Sequence, residues 1–341
     1  MQNHPQNQQT IASDLNYLSW QDALRDCVTD IDALCEYLEL SNEFKSSHCL
    51  AESNFPLRVP RQFLSKISKG DPNDPLLLQV LPLQQEILQS LYYQADPVND
   101  LAHNPVAGIV HKYKHRALLT LTGSCAIHCR YCFRREFPYA EQNALKGHAR
   151  DAIEYLANNS NIHEVILSGG DPLSLSDSKL GLLFKDFDKI KHIKTIRIHT
   201  RFPIVIPQRL SNCFIKLLAN SSKKIVLVLH ANHPNELDQN LKQACHNLRE
   251  IGVTILNQSV LLRNINDTEE TLTALSTKLF DYGILPYYLN LFDKVRGGQH
   301  FDIPIEEAKT IYSKIRANLP GYLVPKLVRD DGNNIAKTLL V

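Results

Sequence analysis

From residue 116 onward one pattern repeats: a short aliphatic or β-branched run, then an amphipathic stretch about 12 to 16 residues long. The runs are "ALLTLT" (117–122), "EVILS" (164–168), "TIRIH" (195–199), "KIVLVLH" (224–230), "VTILNQSV" (253–260) and "ILPYYLNL" (284–291), which read as six strands. Helix candidates lie between them. "DTEETLTALSTKLFDYG" opens at a capping Asp267, keeps Leu272, Leu275 and Leu279 on one face and stops at Gly283. Strands separated by helices cannot pair as tight hairpins, so they lie parallel in one sheet with the helices packed on it. Such a sheet is either doubly wound or curled into a barrel.

The polar residues favour the curled form. Just past the first four strands come "CAIHCRYC" (125–132), "SGGDP" (168–172), "HTRFP" (199–203) and "HANHPNE" (230–236). The fifth strand carries Asn257 and Gln258, and the sixth runs on to Asp293. In a parallel α/β sheet all strand C-termini open on one face, so these groups converge on one site. Earlier residues follow a different grammar, with helical patterns such as "SWQDALRDCVTDIDALCEYL" (19–38) broken by turn clusters such as "KGDPNDP" (69–75). The expected organisation is a helical N-terminal region over 1–110, a βα core over 111–320 and a C-terminal segment over 321–341.

Charge and composition narrow the function classes. Lys and Arg number 37 against 36 Asp and Glu, a net charge of +1, so no global electrostatic footprint for nucleic acid or an anionic membrane exists. No apolar run approaches the ~20 residues of a membrane span, and "MQNHPQNQQTIASD" lacks the basic-then-apolar pattern of a signal peptide. We expect a cytoplasmic protein with neither a membrane nor a nucleic-acid partner. In that reducing compartment the eight cysteines should form no disulfide framework, and Cys27, Cys35, Cys49, Cys213 and Cys245 read mostly as small buried side chains.

No phosphate loop, dinucleotide fingerprint, zinc-protease helix or nucleophile elbow is visible, so the cysteines lead the chemistry. "GSCAIHCRYCFRR" (123–135) places Cys125, Cys129 and Cys132 within eight positions. Three thiolates can hold three irons of a four-iron, four-sulfur cluster and leave the fourth iron open to a ligand. A zinc set completed by His128 or a distant histidine is the alternative, as in a non-enzymatic zinc-binding module. Structural zinc staples small domains that lack a core, whereas this trio sits at the catalytic end of a large sheet.

A C-x3-C-x2-C trio with Tyr131 before its last cysteine, set directly after the first βα strand and followed by "SGGDP" after the second, resembles the radical S-adenosylmethionine (SAM) superfamily. "HKYKHRALLTLTGSCAIHCRYCFRREFPY", "IRIHTRFPIVIP", "HANHPNEL", "LNQSVLLRNIND" and "PYYLNLFDKVRGGQHF" extend the likeness to the lysine 2,3-aminomutase family, from about Leu57 to Lys337. The resemblance implies an α/β fold, a partial (β/α)6 TIM-like radical SAM barrel with a helical N-terminal extension. It also implies an isomerase that turns L-lysine into (R)-β-lysine using a [4Fe-4S] cluster, S-adenosyl-L-methionine and pyridoxal 5'-phosphate (PLP). "LRVPRQFLSKISKGDPNDPLLLQVLP" and "GYLVPKL" are most similar to the branch that supplies β-lysine for modifying elongation factor P. That branch implies elongation factor P, its β-lysyl ligase and an electron donor such as flavodoxin as pathway partners; a free-lysine enzyme of catabolism or secondary metabolism is the alternative.

Residue roles carried by the resemblance follow. Cys125, Cys129 and Cys132 match the cluster ligands. Gly169, Gly170 and Asp171 match the stretch beside the SAM methionyl group, and His230 and Gln258 match residues near SAM. Lys337, in "IAKTLL", aligns with the lysine that carries PLP, while Lys112, Tyr113 and Arg116 fall where relatives contact its phosphate. Arg134 matches the guanidinium that pairs with the lysine carboxylate, and Asp293 and Asp330 match the carboxylates that hold the side-chain ammonium. Relatives acting on free lysine commonly carry a glycine-rich run before the PLP lysine, whereas "DDGNNIAKTLLV" stands here, which implies a differently shaped loop.

Overall fold

The computed structural model describes residues 19–50, 55–88, 90–145, 149–332, 334 and 336–341 of the 341-residue chain. The polar segment at residues 1–18 lies outside them. The helical pattern over 19–38 resolves into two short helices, α1 (Trp20–Arg25) and α2 (Ile31–Tyr37), because a two-residue strand, β1 (Cys27–Val28), interrupts it. After α3 (Asn42–His48), β2 (Val59–Pro60) pairs antiparallel with β1, and α4 (Arg61–Leu64) follows. Ser19, Asp30 and Ser41 cap the first three helices by accepting backbone N–H bonds, which satisfies donors the helix itself cannot.

All six expected strands form: β4 (Arg116–Thr120), β5 (Glu164–Ser168), β6 (Thr195–Thr200), β7 (Lys224–His230), β8 (Thr254–Val260) and β9 (Leu285–Asn290). They lie parallel in chain order. Three further strands extend the sheet: β3 (Ile109–Tyr113) forms an antiparallel hairpin with β4, β10 (Lys326–Arg329) adds parallel to β9, and β11 (Thr338–Leu339) returns antiparallel. In this sheet β3 straddles the boundary expected near 110, and β10 and β11 lie beyond the one expected near 320.

The crossovers carry α5 (Ala149–Asn158), α6 (Asp177–Lys189), α7 (Phe202–Val205), α8 (Asn212–Ala219), α9 (Gln239–Glu250), α10 (Glu269–Asp281) and α11 (Ile305–Asn318). In α10 the leucines face the core as expected, since Leu272, Leu275 and Leu279 are buried. Its cap is Thr268, not Asp267: the Thr268 side chain accepts from the Thr271 N–H. The helix ends at Asp281 with Tyr282 as its cap, and the next residue, Gly283, has a φ of +74°, a left-handed conformation that costs glycine nothing.

The sheet is strongly curved. Strands β3 and β11 stand at opposite ends of its order, yet the Tyr113 hydroxyl donates to Asp330 Oδ2 at 3.3 Å across the gap. A flat doubly wound sheet could not bring those ends together, so the architecture is the partial (β/α)6 barrel. Inward residues alternate along each strand, and the register sets Ile166 beside Arg197 and His230 beside Gln258.

Apolar faces of the crossover helices hold this curvature. Phe187 of α6 is fully buried, while Leu182 on the same helix is 64% exposed. Phe187→Ala should lower the unfolding free energy by about 3–5 kcal/mol in urea titrations, whereas Leu182→Ala should stay within about 0.5 kcal/mol of the parent.

Candidate active site

The cysteine loop leaves the end of β4 and is fastened from behind by the N-terminal region. Arg130 is fully buried; its Nε and NH2 donate to Glu86 Oε1 and Oε2 at 2.8 and 2.5 Å, and NH1 donates to the Phe55 carbonyl at 2.6 Å. Arg135 donates to the same Glu86 Oε2 at 2.6 Å. Burial pushes the Glu86 carboxyl up, but the two guanidinium groups outweigh it and hold the carboxyl below its ordinary value. Backbone bonds from Arg130 N to Gln79 O (2.8 Å) and His128 N to Arg58 O (3.0 Å) complete the fastening.

With the arginines turned back into protein, Cys125, Cys129 and Cys132 face one cavity. Burial pushes the Cys125 thiol well up and the Cys132 thiol to about 11. It raises Cys129 as well, though the Arg201 guanidinium pulls that thiol the other way. Thiols in such a site give up their protons to an incoming metal centre more readily than to water. His128 does not complete a zinc set. Its Nδ1 lies 2.8 Å from the Pro56 carbonyl, its ring stacks on Phe55, and no compact single-ion group of His, Cys, Asp or Glu forms among the described residues. Three thiols around one opening suit a wide iron–sulfur cube, whose ligands stand further apart than those of one ion.

"SGGDP" closes one wall, and its residues act chiefly on the chain itself. A Cβ at Gly169 would meet the Thr122 carbonyl at 2.5 Å and one at Gly170 would meet the Ser124 carbonyl at 2.6 Å, so the glycines let this turn press against the cysteine loop. The Asp171 carboxylate is used internally, accepting from Thr200 Oγ1 and from the N–H groups of Leu173, Arg201 and Phe202. Burial nevertheless lifts its pKa to about 6. Next along the sheet, His230 Nε2 lies 3.3 Å from the Tyr131 hydroxyl. Burial and the Arg201 charge push the His230 pKa down to about 3, so that ring is neutral. Gln258 lines the cavity beside it.

The opposite wall is rich in charge. Asp100 accepts from Lys112 Nζ through Oδ1 at 2.7 Å and from Arg134 NH2 and Nε through Oδ2 at 2.7 and 2.9 Å. Lys112 also donates to the Val98 carbonyl. Arg134 NH1 donates to Ser168 Oγ at 3.1 Å. One edge of the guanidinium expected to pair with a substrate carboxylate, that of Nε and NH2, is therefore already taken by Asp100. Arg116 lies over the Tyr113 ring, 4.2 Å from its centroid. Lys337 Nζ donates to Asn290 Oδ1 at 2.8 Å. Burial raises the Asp293 pKa to about 7, with Lys337 lowering it and Asp330 raising it.

Each residue given a role by the family likeness lines this one cavity. Asn257, expected beside Gln258, does not: its amide is spent on the Ala231 backbone and Ser259. Sequence reasoning missed Asp100, Arg197 and Asn290, and placed Ser168 and His199 only as members of converging clusters. Arg197 Nε and His199 Nε2 are buried there without a hydrogen-bond partner, which marks the cavity as built for a polar occupant. A charge balance held a signal for Asp100: cations gathered around β4, Lys112, Arg116 and Arg134 among them, call for a nearby carboxylate.

Comparison with known proteins gives this site its class. Residues 119–275 match the family model described as the Radical SAM superfamily. The L-lysine 2,3-aminomutase of Escherichia coli is 46% identical over 322 residues, covering 94% of this chain and 94% of that protein. That of Haemophilus influenzae is 45% identical, covering 94% and 95%, and that of Clostridium subterminale is 32% identical, covering 96% and 78%. The chain belongs to the L-lysine 2,3-aminomutase family of the radical SAM superfamily. Proteins of this kind use a [4Fe-4S] cluster, S-adenosyl-L-methionine and PLP. The three thiols, the orphaned cavity donors and the cationic wall fit those groups.

The fastening of the cysteine loop depends on Glu86. Removing one partner of a buried ion pair leaves an uncompensated charge and costs about 3–5 kcal/mol, so Glu86→Ala should lower stability by that amount in chemical denaturation. A loss below about 1 kcal/mol would show that Arg130 and Arg135 find other partners.

Proposed function

We propose that this protein is a lysine 2,3-aminomutase that moves the amino group of L-α-lysine from its α to its β carbon, giving (R)-β-lysine for the modification of elongation factor P. One observation carries the reading. A single cavity presents three thiols, a lysine amine at Lys337, a guanidinium at Arg134 and two carboxylates at Asp293 and Asp330. The hydrogen to be removed is not acidic enough for a side-chain base, so acid–base residues alone cannot begin the reaction. The bound cluster with SAM supplies a carbon radical for that removal, and bound PLP supplies the π system through which the nitrogen moves.

The chain's own residues do the holding and orienting. Cys125, Cys129 and Cys132 bind the cluster, and Gly169, Gly170 and Asp171 shape the wall that SAM lies against, with His230 and Gln258 beyond. Lys337 carries PLP, and Asn290 aims its amine. Lys112 and Arg116 offer positive charge to the phosphate, and the Tyr113 hydroxyl donates to it by turning away from Asp330. Arg134 meets the substrate carboxylate with the edge that Asp100 leaves, while Asp293 and Asp330 hold the distal ammonium. Arg134 is a compromise, because Asp100 fixes its plane and so reduces the entropy lost on binding.

The elongation factor P assignment rests on the sequence likeness of residues 57–82 and of "GYLVPKL". No ATP-binding motif is visible, so the transfer of β-lysine belongs to a separate ligase, and electrons come from a donor such as flavodoxin. A deletion strain whose elongation factor P keeps its full β-lysyl mass would overturn this pathway and leave the free-lysine reading.

Two further outcomes test the chemistry. Anaerobically reconstituted, reduced protein given SAM, PLP and L-lysine should form β-lysine, and Cys125→Ala should abolish product; product persisting in that variant would sink the cluster assignment.

Substrate binding also has a proton signature. Asp293 has its pKa raised to about 7, so it is partly protonated near neutral pH, and an arriving ammonium favours its ionised form. Lysine binding at that pH should release a proton, detected as a dependence of calorimetric heat on buffer ionisation enthalpy. Asp293→Asn should reduce the dependence by the Asp293 share, leaving that of the substrate α-ammonium, and lower kcat/KM by at least ~30-fold, as loss of one buried charged partner costs about 2 kcal/mol or more.

A further inference from the structure

Arg201 stands just past β6 and takes no part in the roles above. Its side chain is buried, and NH1 donates to Cys129 Sγ at 3.2 Å. NH2 donates to Glu236 Oε2 at 3.0 Å and to Gln79 Oε1 at 2.8 Å. Glu236 is fully buried, and its Oε1 accepts from the N–H groups of Asn232 and His233 at 2.8 and 3.0 Å. Gln79 also receives the Arg130 N–H from the cysteine loop on its carbonyl, at 2.8 Å. The guanidinium is thus locked from three directions and aimed at one sulfur. Among the described residues Cys125 and Cys132 accept no comparable side-chain donor.

This asymmetry has an electrostatic meaning. Reducing an iron–sulfur cluster adds one negative charge, and hydrogen bonds or positive charge at the ligand sulfurs favour the reduced form. Glu236 opposes the effect, but it lies on the far side of the guanidinium, and Coulomb energy falls with distance, so the nearer cation prevails. We propose that Arg201 is a positioning residue that raises the reduction potential of the cluster held by Cys125, Cys129 and Cys132, and that Glu236 limits how much of its charge the cluster feels. The inference rests on the radical SAM reading of the site. It assigns "HTRFP" and "HPNE" a shared task, the setting of the potential at which the cluster accepts its electron.

The test compares wild type, Arg201→Gln, Arg201→Lys and Glu236→Gln, each reconstituted anaerobically with iron and sulfide and titrated against potential by electron paramagnetic resonance, without substrate. Arg201→Gln should become harder to reduce by about tenfold in equilibrium constant, ~59 mV for one electron. Arg201→Lys should shift the same way by less, since it keeps a cation and loses the fork. Glu236→Gln should shift the opposite way, because it frees the Arg201 charge. If Arg201→Gln fails to fold, the opposition in sign is read between Arg201→Lys and Glu236→Gln, and a purely structural role predicts no such pattern. Loaded variants with the wild-type midpoint, or a Glu236→Gln shift to more negative potential, would overturn the proposal. Wild type that takes up no iron and sulfide would instead overturn the cluster reading itself.

Discussion

Asp100 binds two cations that reach the cavity from different parts of the chain, Lys112 on β3 and Arg134 past the last cysteine. All three side chains are at least nine-tenths buried, so none of the charges can be left to solvent. This carboxylate joins the N-terminal region, the hairpin that starts the sheet and the cysteine loop at one point. A partial barrel leaves its first and last strands unpaired with each other, and backbone hydrogen bonds cannot close that gap. Side chains close it instead. Asp100 fixes one lip, and the Tyr113 to Asp330 bond reaches the other.

The same device recurs around the site. Arg130 pairs with Glu86, Arg134 with Asp100, Arg201 with Glu236 and Arg209 with Asp177. Pairs of this kind add little net stability, because desolvating two ions offsets most of their attraction. Their directionality is the useful property. An apolar replacement could fill the same space, yet it would not hold a guanidinium plane or aim an N–H at a sulfur. The apolar helices supply the free energy of folding, and the ionic layer decides where the loops stand.

What could be read from the sequence divides along the same line. Two strands were legible to the residue, Glu164–Ser168 and Lys224–His230, and the other four to within two residues at each end, because apolar runs bounded by polar residues are a local signal. The hairpin strand "IVHKY" and the last parallel strand "KLVR" were missed, since charged residues break their apolar pattern and only pairing with neighbours makes them strands. Asp267 looked like a cap by composition, but the backbone turns one residue later at Thr268. The cysteines were legible because their spacing is short. Asp100 and Arg134 are 34 residues apart, and Arg201 and Glu236 are 35 apart, with no periodicity to join them. Lys337 and Asp330 came only from family likeness, and Asp293 was placed by the strand pattern but given its role by that likeness, as a lone lysine or aspartate carries no local mark of its partner.

The glycines of "SGGDP" show why the cavity is a single space. Read alone, they suggest room for a ligand, but the nearest atoms a side chain would strike belong to the strand–loop segment just ahead of the cysteines. Their smallness lets the end of β5 approach that segment, and Asp171 then ties the approach to the end of β6 through Thr200, Arg201 and Phe202. That bond places Arg201 within reach of Cys129. A larger residue at either glycine would separate the walls before it displaced any ligand, because backbone carbonyls cannot move aside as a side-chain tip can. Packing and chemistry therefore meet in the same few atoms: the turn that closes the wall also delivers the cation to the sulfur.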